Sequence, residues 1–178
     1  STSVCAIVTG GILKCWGQSF VGDGTAGTVS SPTVIDSGTA YSKVSVGGSH
    51  TCAITSIGNL KCWGLNNYSQ VGDGTVISRT TPVSVDIGTT YSDVSVGVGH
   101  ACGVTSGGVL KCWGSINYAI DTRSSGGNVT TPTVIPVGVV TFRSTSVGGG
   151  YNSCAVATNN DLYCWGAMTG WGVGYTNQ

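Results

Sequence analysis

The residues of this chain that could do chemistry are few: eight cysteines, two histidines and seven acids, every acid an aspartate. The cysteines recur at two phases, Cys5, Cys52, Cys102 and Cys154, then Cys15, Cys62, Cys112 and Cys164, both sets advancing by 47, 50 and 52 residues. Such pairs can close disulfides. They could instead offer thiolates to zinc if neighbouring units converged, although metal knuckles usually leave about two to four residues between ligands. Oxidised cysteines are not nucleophiles, and no Ser-His-Asp or Cys-His order emerges from the spacing. His50 and His100 each stand two residues before a first cysteine, with Ser3 and Asn152 at the same place in the other two units. A position tied to the repeat reads as a structural hydrogen bonder rather than a general base. Asp23 and Asp73 sit in "VGDGT" turns, one carboxylate each. That is far short of the roughly six to eight oxygens calcium takes, and it suits an Asx turn. Asp36 and Asp86 close Pro-led strands and read as edge or turn residues. No catalytic residue, metal site or cofactor is assigned, and the chain is expected not to be an enzyme.

The elements that must position these cysteines can be derived from the turns between them. Cys5 and Cys15 are symmetric about Gly10, leaving the loop Thr9-Gly10-Gly11; its counterparts are Ser56-Ile57-Gly58, Ser106-Gly107-Gly108 and Thr158-Asn159-Asn160. The third loop residue is Gly, Gly, Gly and Asn, the types that tolerate the left-handed conformation a three-residue hairpin requires there. Running outward from the turn puts each first cysteine opposite its second, on a pair where Cα atoms approach to about 4.5 Å. Eight cysteines allow about 105 pairings, and the repeat symmetry selects one set: Cys5–Cys15, Cys52–Cys62, Cys102–Cys112 and Cys154–Cys164. Paired thiols with none left over point to an oxidising compartment, outside the cell or on its surface.

The hairpin is part of a longer repeat. "VCAIVTGGILKCWG" returns as "TCAITSIGNLKCWG", "ACGVTSGGVLKCWG" and "SCAVATNNDLYCWG". Between these lie "SSPTVID", "TTPVSVD" and "TTPTVIP", in phase at Pro32, Pro82 and Pro132, and then "KVSVGGSH", "DVSVGVGH" and "STSVGGGY". Each unit thus offers four short strands, and a period of about 40 to 50 residues with four strands is the signature of a propeller blade. The units run approximately 1–42, 43–91, 92–142 and 143–178, in a single array over 1–178. Thirty glycines and many Ser, Thr and Val agree with β structure and tight turns. Seven Lys+Arg against seven acids gives no basic face for nucleic acid and no handle for an anionic membrane. No apolar run approaches the ~20 residues of a membrane span, and no signal peptide is present, so the chain is expected to be mature, processed or a fragment.

The run "VGGSHTCAIT" (Val46 to Thr55), followed by "CWGLNNYSQVGDGT" (Cys62 to Thr75), resembles the regulator of chromosome condensation (RCC1) repeat, with its Gly-Gly-x-His, Trp-Gly and glycine-rich turn. The likeness covers essentially the whole chain and is best in the second unit. The third unit replaces the turn by "SINYAIDTRSSGGN", and the first and fourth shorten it. The resemblance implies an all-β propeller of RCC1-like blades, about seven in a closed ring, and a binding or scaffolding role, as in a nucleotide-exchange factor for a small GTPase and a secreted inhibitor of beta-lactamases. The exchange-factor role does not carry over to so uncharged a chain. The cysteine-framed type resembles extracellular members.

Only about 3.5–4 blades are present, an array that stays open unless further chain or another subunit completes it. Open arrays expose raw strand edges and apolar blade faces. The expected partners are therefore other copies of the chain or further blades, and a small self-sufficient propeller is the alternative. The leading functional expectation is a non-enzymatic structural, self-assembling role, as in a surface filament or sheath. The second is a module that binds a protein or glycan through the variable rim turns. Trp16, Trp63, Trp113 and Trp165 follow every second cysteine and should pack between blades. Trp171 lies outside the repeat frame near Tyr175, and the two are candidate contacts for a neighbouring subunit or a sugar. Lys14, Lys61 and Lys111 recur before the cysteine, their stems expected to cover apolar surface while the ammonium reaches water. Two sequons in the variable turns make Asn67 and Asn128 candidate glycosylation acceptors.

Overall fold

Each cysteine pair brackets a β-hairpin, and every hairpin turns on the residue that tolerates a left-handed backbone: Gly11, Gly58, Gly108 and Asn160 have φ of 75°, 87°, 80° and 75°. The computed structural model describes residues 3–115, 128–149 and 152–166. Trp171 and Tyr175 lie outside the described residues.

Thirteen strands make up the described part. The first blade holds β1 (Ser3–Val8), β2 (Ile12–Gly17) and β3 (Val29–Val34). The second holds β4 (Tyr41–Val46), β5 (His50–Thr55), β6 (Asn59–Gly64) and the first half of β7 (Arg79–Val96). The second half of β7 opens the third blade, which continues through β8 (His100–Thr105), β9 (Leu110–Gly114) and β10 (Val129–Val134). The fourth holds β11 (Phe142–Val147), β12 (Asn152–Ala157) and β13 (Leu162–Gly166). All pairings are antiparallel between neighbours, in the order β1-β2-β3, β10-β9-β8-β7-β6-β5-β4 and β11-β12-β13. One difference from the sequence reading is that "TTPVSVD" and "DVSVGVGH" merge into the single long strand β7, which hands the chain from one blade to the next. This is an all-β propeller array. Among the described residues no helix is long and apolar enough to cross a membrane.

The four disulfides are Cys5–Cys15, Cys52–Cys62, Cys102–Cys112 and Cys154–Cys164, each closing facing residues of one hairpin with Cα atoms 4.1 Å apart. Alternation along the strands puts the cysteines on one face of a blade and the tryptophan on the other. The disulfide face of each blade then packs on the tryptophan face of the next. Leu13, Cys15 and Ile35 of the first blade bury Ala53 and Trp63 of the second. Cys52, Ile54 and Leu60 bury Ala101 and Trp113 of the third. Cys102, Val104 and Leu110 bury Ala155 and Trp165 of the fourth. The starting segments of the blades, β4, the second half of β7 and β11, lie side by side as hub strands, linked where Ser45 Oγ accepts the Val96 amide at 3.0 Å and Ser95 Oγ accepts the Val147 amide at 2.8 Å.

Candidate functional site

Several of the cationic and acidic residues gather at the blade junctions. At the first junction Asp36 ends the outer strand of one blade; its Oδ2 accepts from the Tyr41 hydroxyl at 2.5 Å and the Lys61 ammonium at 2.5 Å, both on the next blade. The second junction repeats this with Asp86, Tyr91 (2.6 Å) and Lys111 (2.7 Å). Burial raises both carboxyls, but the bonds from lysine and tyrosine and the lysine charge outweigh it and hold each below the ordinary value of 3.8. The tyrosines, buried and facing a carboxylate, are pushed well above 10. Asp36 and Asp86 both sit at φ 52°, a left-handed conformation Asp accepts better than most residues.

The structure corrects the reading of the lysines: the Lys61 and Lys111 ammoniums are partly buried in ion pairs rather than free in water. It also enlarges the role of Asp36 and Asp86 from turn residues to junction clamps. The signal was present in the phase of the repeats. At the third junction the corresponding positions are Pro136, Phe142 and Tyr163, so all three members change together. Losing the carboxylate alone would strand a buried hydroxyl and an ammonium, and the aromatic pair instead packs edge to face at 5.5 Å. Asp86→Asn and Tyr91→Phe are each expected to cost about 1–2 kcal/mol. The double variant should cost less than the sum, because both remove the same hydrogen bond. Urea midpoints test this, and strict additivity would mean the contact contributes nothing.

The two histidines are buried in the second and third junctions. His100 Nε2 is hydrogen-bonded to Ser153 Oγ of the next blade at 2.7 Å. His50 has neither ring nitrogen partnered, because Ala101 stands where Ser153 does. Burial, together with the charge of the other imidazole, lowers His50 to about 3, and burial lowers His100 to about 4. Both values lie below the ordinary 6.5, so the unfolded chain binds protons that the folded one refuses. Stability should therefore fall as pH drops from about 6.5 toward 4, by up to ~1.4 kcal/mol per pH unit for each histidine. Ala101→Ser is expected to raise stability near neutral pH by ~1 kcal/mol by giving His50 a hydroxyl. Denaturant midpoints across that pH range check both, and a flat profile would show that the imidazoles stay hydrated.

The turn aspartates take the Asx role. Asp23 Oδ1 accepts from the Thr25 amide and hydroxyl, both at 2.9 Å. Asp73 Oδ1 does the same with Thr75, and its Oδ2 accepts from Arg79 Nε at 2.6 Å. The loop after β6 is further fixed by Asn66, whose Nδ2 donates to Asp73, Thr75 and Ile77 while its Oδ1 accepts the Val71 amide. Asn67 is exposed on this loop and Asn128 is exposed just before β10. No group of three or more His, Cys, Asp or Glu that could hold a metal occurs among the described residues.

The outer faces of the two end blades present the halves of a junction. On the first blade, Val4 is 47% exposed, where its counterparts Thr51, Ala101 and Ser153 are buried to 2% or less. On the fourth, Leu162 is 49% exposed, against 0–2% for Leu13, Leu60 and Leu110 at the same position. Ser146, in phase with the hub serines 45 and 95, is also exposed.

Strand order, hub and face-on-face packing define a run of β-propeller blades. Two models of the regulator of chromosome condensation (RCC1) repeat match residues 41–70 and 58–104, so this stretch carries RCC1 repeats, here framed by cysteines. No curated protein sequence matches it. Among solved structures it is similar to human WBSCR16, with a TM-score of 0.81 and 18% identity over 92% of this chain and 45% of the other. It is similar to yeast RCC1 (Prp20) bound to Kap60, with a TM-score of 0.74 and 22% identity over 92% and 41%. A third similar structure is the ectodomain of the Physcomitrella patens receptor kinase CR4, with a TM-score of 0.59 and 21% identity over 92% and 38%. The chain thus spans less than half the length of these structures.

Proposed function

We propose that this chain is a non-enzymatic, disulfide-pinned propeller module of the cell exterior whose role is structural: its blades associate face to face with further blades, including those of other copies. The carrying observation is Leu162, half exposed on a position that three internal junctions bury completely. Burying a leucine is worth roughly 1.5–3 kcal/mol, and the tryptophan face that covers its counterparts is the kind of face the first blade presents at Trp16. A joint between unlike faces is heterologous, so repeated association builds a ring if the rotation closes and a filament if it does not. Four disulfides with no free cysteine favour an oxidising location.

Light scattering under non-reducing conditions tests this reading. The expected native mass is a multiple of 17.9 kDa, reduced to a single chain by Leu162→Asp. A single-chain mass at every concentration would remove the self-assembly role.

A second reading rests on the loop after β6. Tyr68, Val76 and Ile77 are exposed there on a backbone held by Asn66, a rigid apolar rim suited to a protein or glycan ligand. Yeast RCC1, solved with Kap60, is a protein of this fold that holds a protein partner.

A further inference from the structure

Two Asn-x-Ser/Thr sequons stand in the chain, Asn67-Tyr68-Ser69 and Asn128-Val129-Thr130, and the fold treats them differently. Asn67 is exposed, but Ser69, which carries the sequon's hydroxyl, is 0% exposed and its Oγ has no hydrogen-bond partner. Ser69 also stands at φ 61°, inside a tight turn. Its amide donates to the Asn66 carbonyl at 2.9 Å, and its carbonyl accepts the Gly72 amide at 3.1 Å. Gln70 closes the other side: its Oε1 accepts the Tyr68 amide at 2.8 Å, and its Nε2 donates to Asn67 Oδ1 at 3.4 Å. The bonds of Asn66 hold this turn against the rest of the loop, so Ser69 is reached only when the loop opens.

The second sequon runs into an open strand. Asn128 precedes β10 and Thr130 lies within it, and both are exposed. β10 is the outermost strand of its sheet, and its pairing with β9 skips from Val129↔Gly114 to Thr133↔Cys112, so Thr130 falls in a break of the register. The Thr130 carbonyl accepts the Gly74 amide of the preceding blade at 2.9 Å, which holds the strand in place while the residue stays exposed. The second blade shows the alternative use of this place. In phase with Asn128 it has Ser78, whose Oγ accepts the Asn66 amide at 3.2 Å and ties the loop down.

We infer that Asn128 is the N-glycan acceptor of the folded chain and that Asn67 accepts only before its loop closes. A transferase must engage the asparagine amide together with the hydroxyl two residues on, and only the second sequon presents both. In the transfer, Asn128 Nδ2 bonds to the anomeric carbon of an oligosaccharide carried on a lipid pyrophosphate. The bond from that carbon to the pyrophosphate oxygen breaks, the lipid pyrophosphate leaves with the electron pair, and the amide nitrogen gives up one proton. Only the location outside the cell is common to this modification and the proposed function, and the assay does not depend on that location.

The probe is an oligosaccharide on a lipid pyrophosphate, added with a purified oligosaccharyltransferase to the oxidised 178-residue chain and to the same chain reduced and alkylated. Peptide mapping after enzymatic glycan release in heavy-oxygen water marks each modified asparagine. The oxidised chain is expected to carry its glycan at Asn128, with Asn67 modified about tenfold more slowly at best. The reduced chain should accept at both. Thr130→Val should abolish the modification of Asn128, Thr130→Ser should keep it, and Asn67→Gln should leave the oxidised chain's pattern unchanged. Equal rates at Asn67 and Asn128 in the oxidised chain would overturn the inference. So would an oxidised chain unmodified at Asn128, whatever the reduced chain does. Neither result bears on face-to-face assembly, which the native mass decides.

Discussion

Reducing all four disulfides is expected to unfold this protein at 37 °C. Each bond closes a hairpin with a separation of ten residues, which by the chain-entropy model is worth ~3 kcal/mol. Four such terms approach ~10 kcal/mol, comparable with the ~5–15 kcal/mol by which domains of ordinary size are stable. The bonds should not go together. Cys52, Cys62, Cys102 and Cys112 are fully buried, whereas Cys5, on the edge strand β1, and Cys154 and Cys164, on the outer face of the fourth blade, are only partly covered. Exchange needs a thiolate to reach a sulfur, so mild reductant should open Cys5–Cys15 and Cys154–Cys164 first. Thiol trapping followed by peptide mass analysis reads the order, and circular dichroism reads the fold. Simultaneous labelling of all eight thiols would mean that global unfolding precedes reduction. An unchanged melting curve in excess reductant would mean that face-to-face packing alone suffices.

How much of this was legible in the sequence follows from what repeats. The hairpins were legible because a turn is a local problem: Gly11, Gly58, Gly108 and Asn160 are chosen by the φ they must adopt, whatever lies around them. The propeller followed from counting strands per period, and the RCC1 likeness from "VGGSH" and "CWG". The clamp was harder, since Asp36 and Lys61 lie 25 residues apart in chain and on different blades. Each alone reads as an ordinary turn or surface residue. Only their joint replacement by Pro136, Phe142 and Tyr163 marks them as one device. The unpartnered state of His50 depends on a still finer fact, the missing hydroxyl at Ala101, and becomes visible only once the blades are stacked. The rigidity of the loop after β6 follows from the bonds that Asn66 makes across it.

Gly47→Ala should be the most damaging single-methyl substitution in the hub, and Gly48→Ala, one residue on, nearly harmless. A Cβ on Gly47 would fall well inside 3.0 Å of the Gly97 carbonyl oxygen and within 2.6 Å of Val96 Cγ1. That carbonyl cannot swing away freely, because it accepts the Gly48 amide at 3.1 Å. Relief would need the second and third hub segments to part, which also breaks the bond from the Val96 amide to Ser45. Overpacking alone costs ~1–3 kcal/mol, and two uncovered hub hydrogen bonds add about 1 kcal/mol each, so a loss of ~3–5 kcal/mol is expected. At Gly48 the nearest atom to an added Cβ is Val98 Cα at 3.4 Å, ordinary contact that should cost under ~1 kcal/mol. Gly97→Ala meets Gly148 O at 2.8 Å and should fall between the two. Urea midpoints of the three oxidised variants decide the ranking. Near-equal losses would show that the hub strands are not held at the separation that Gly47 permits. The expected order would instead make hub spacing, set by the absence of one methyl, the quantity that fixes the angle between successive blades and hence whether the array can close.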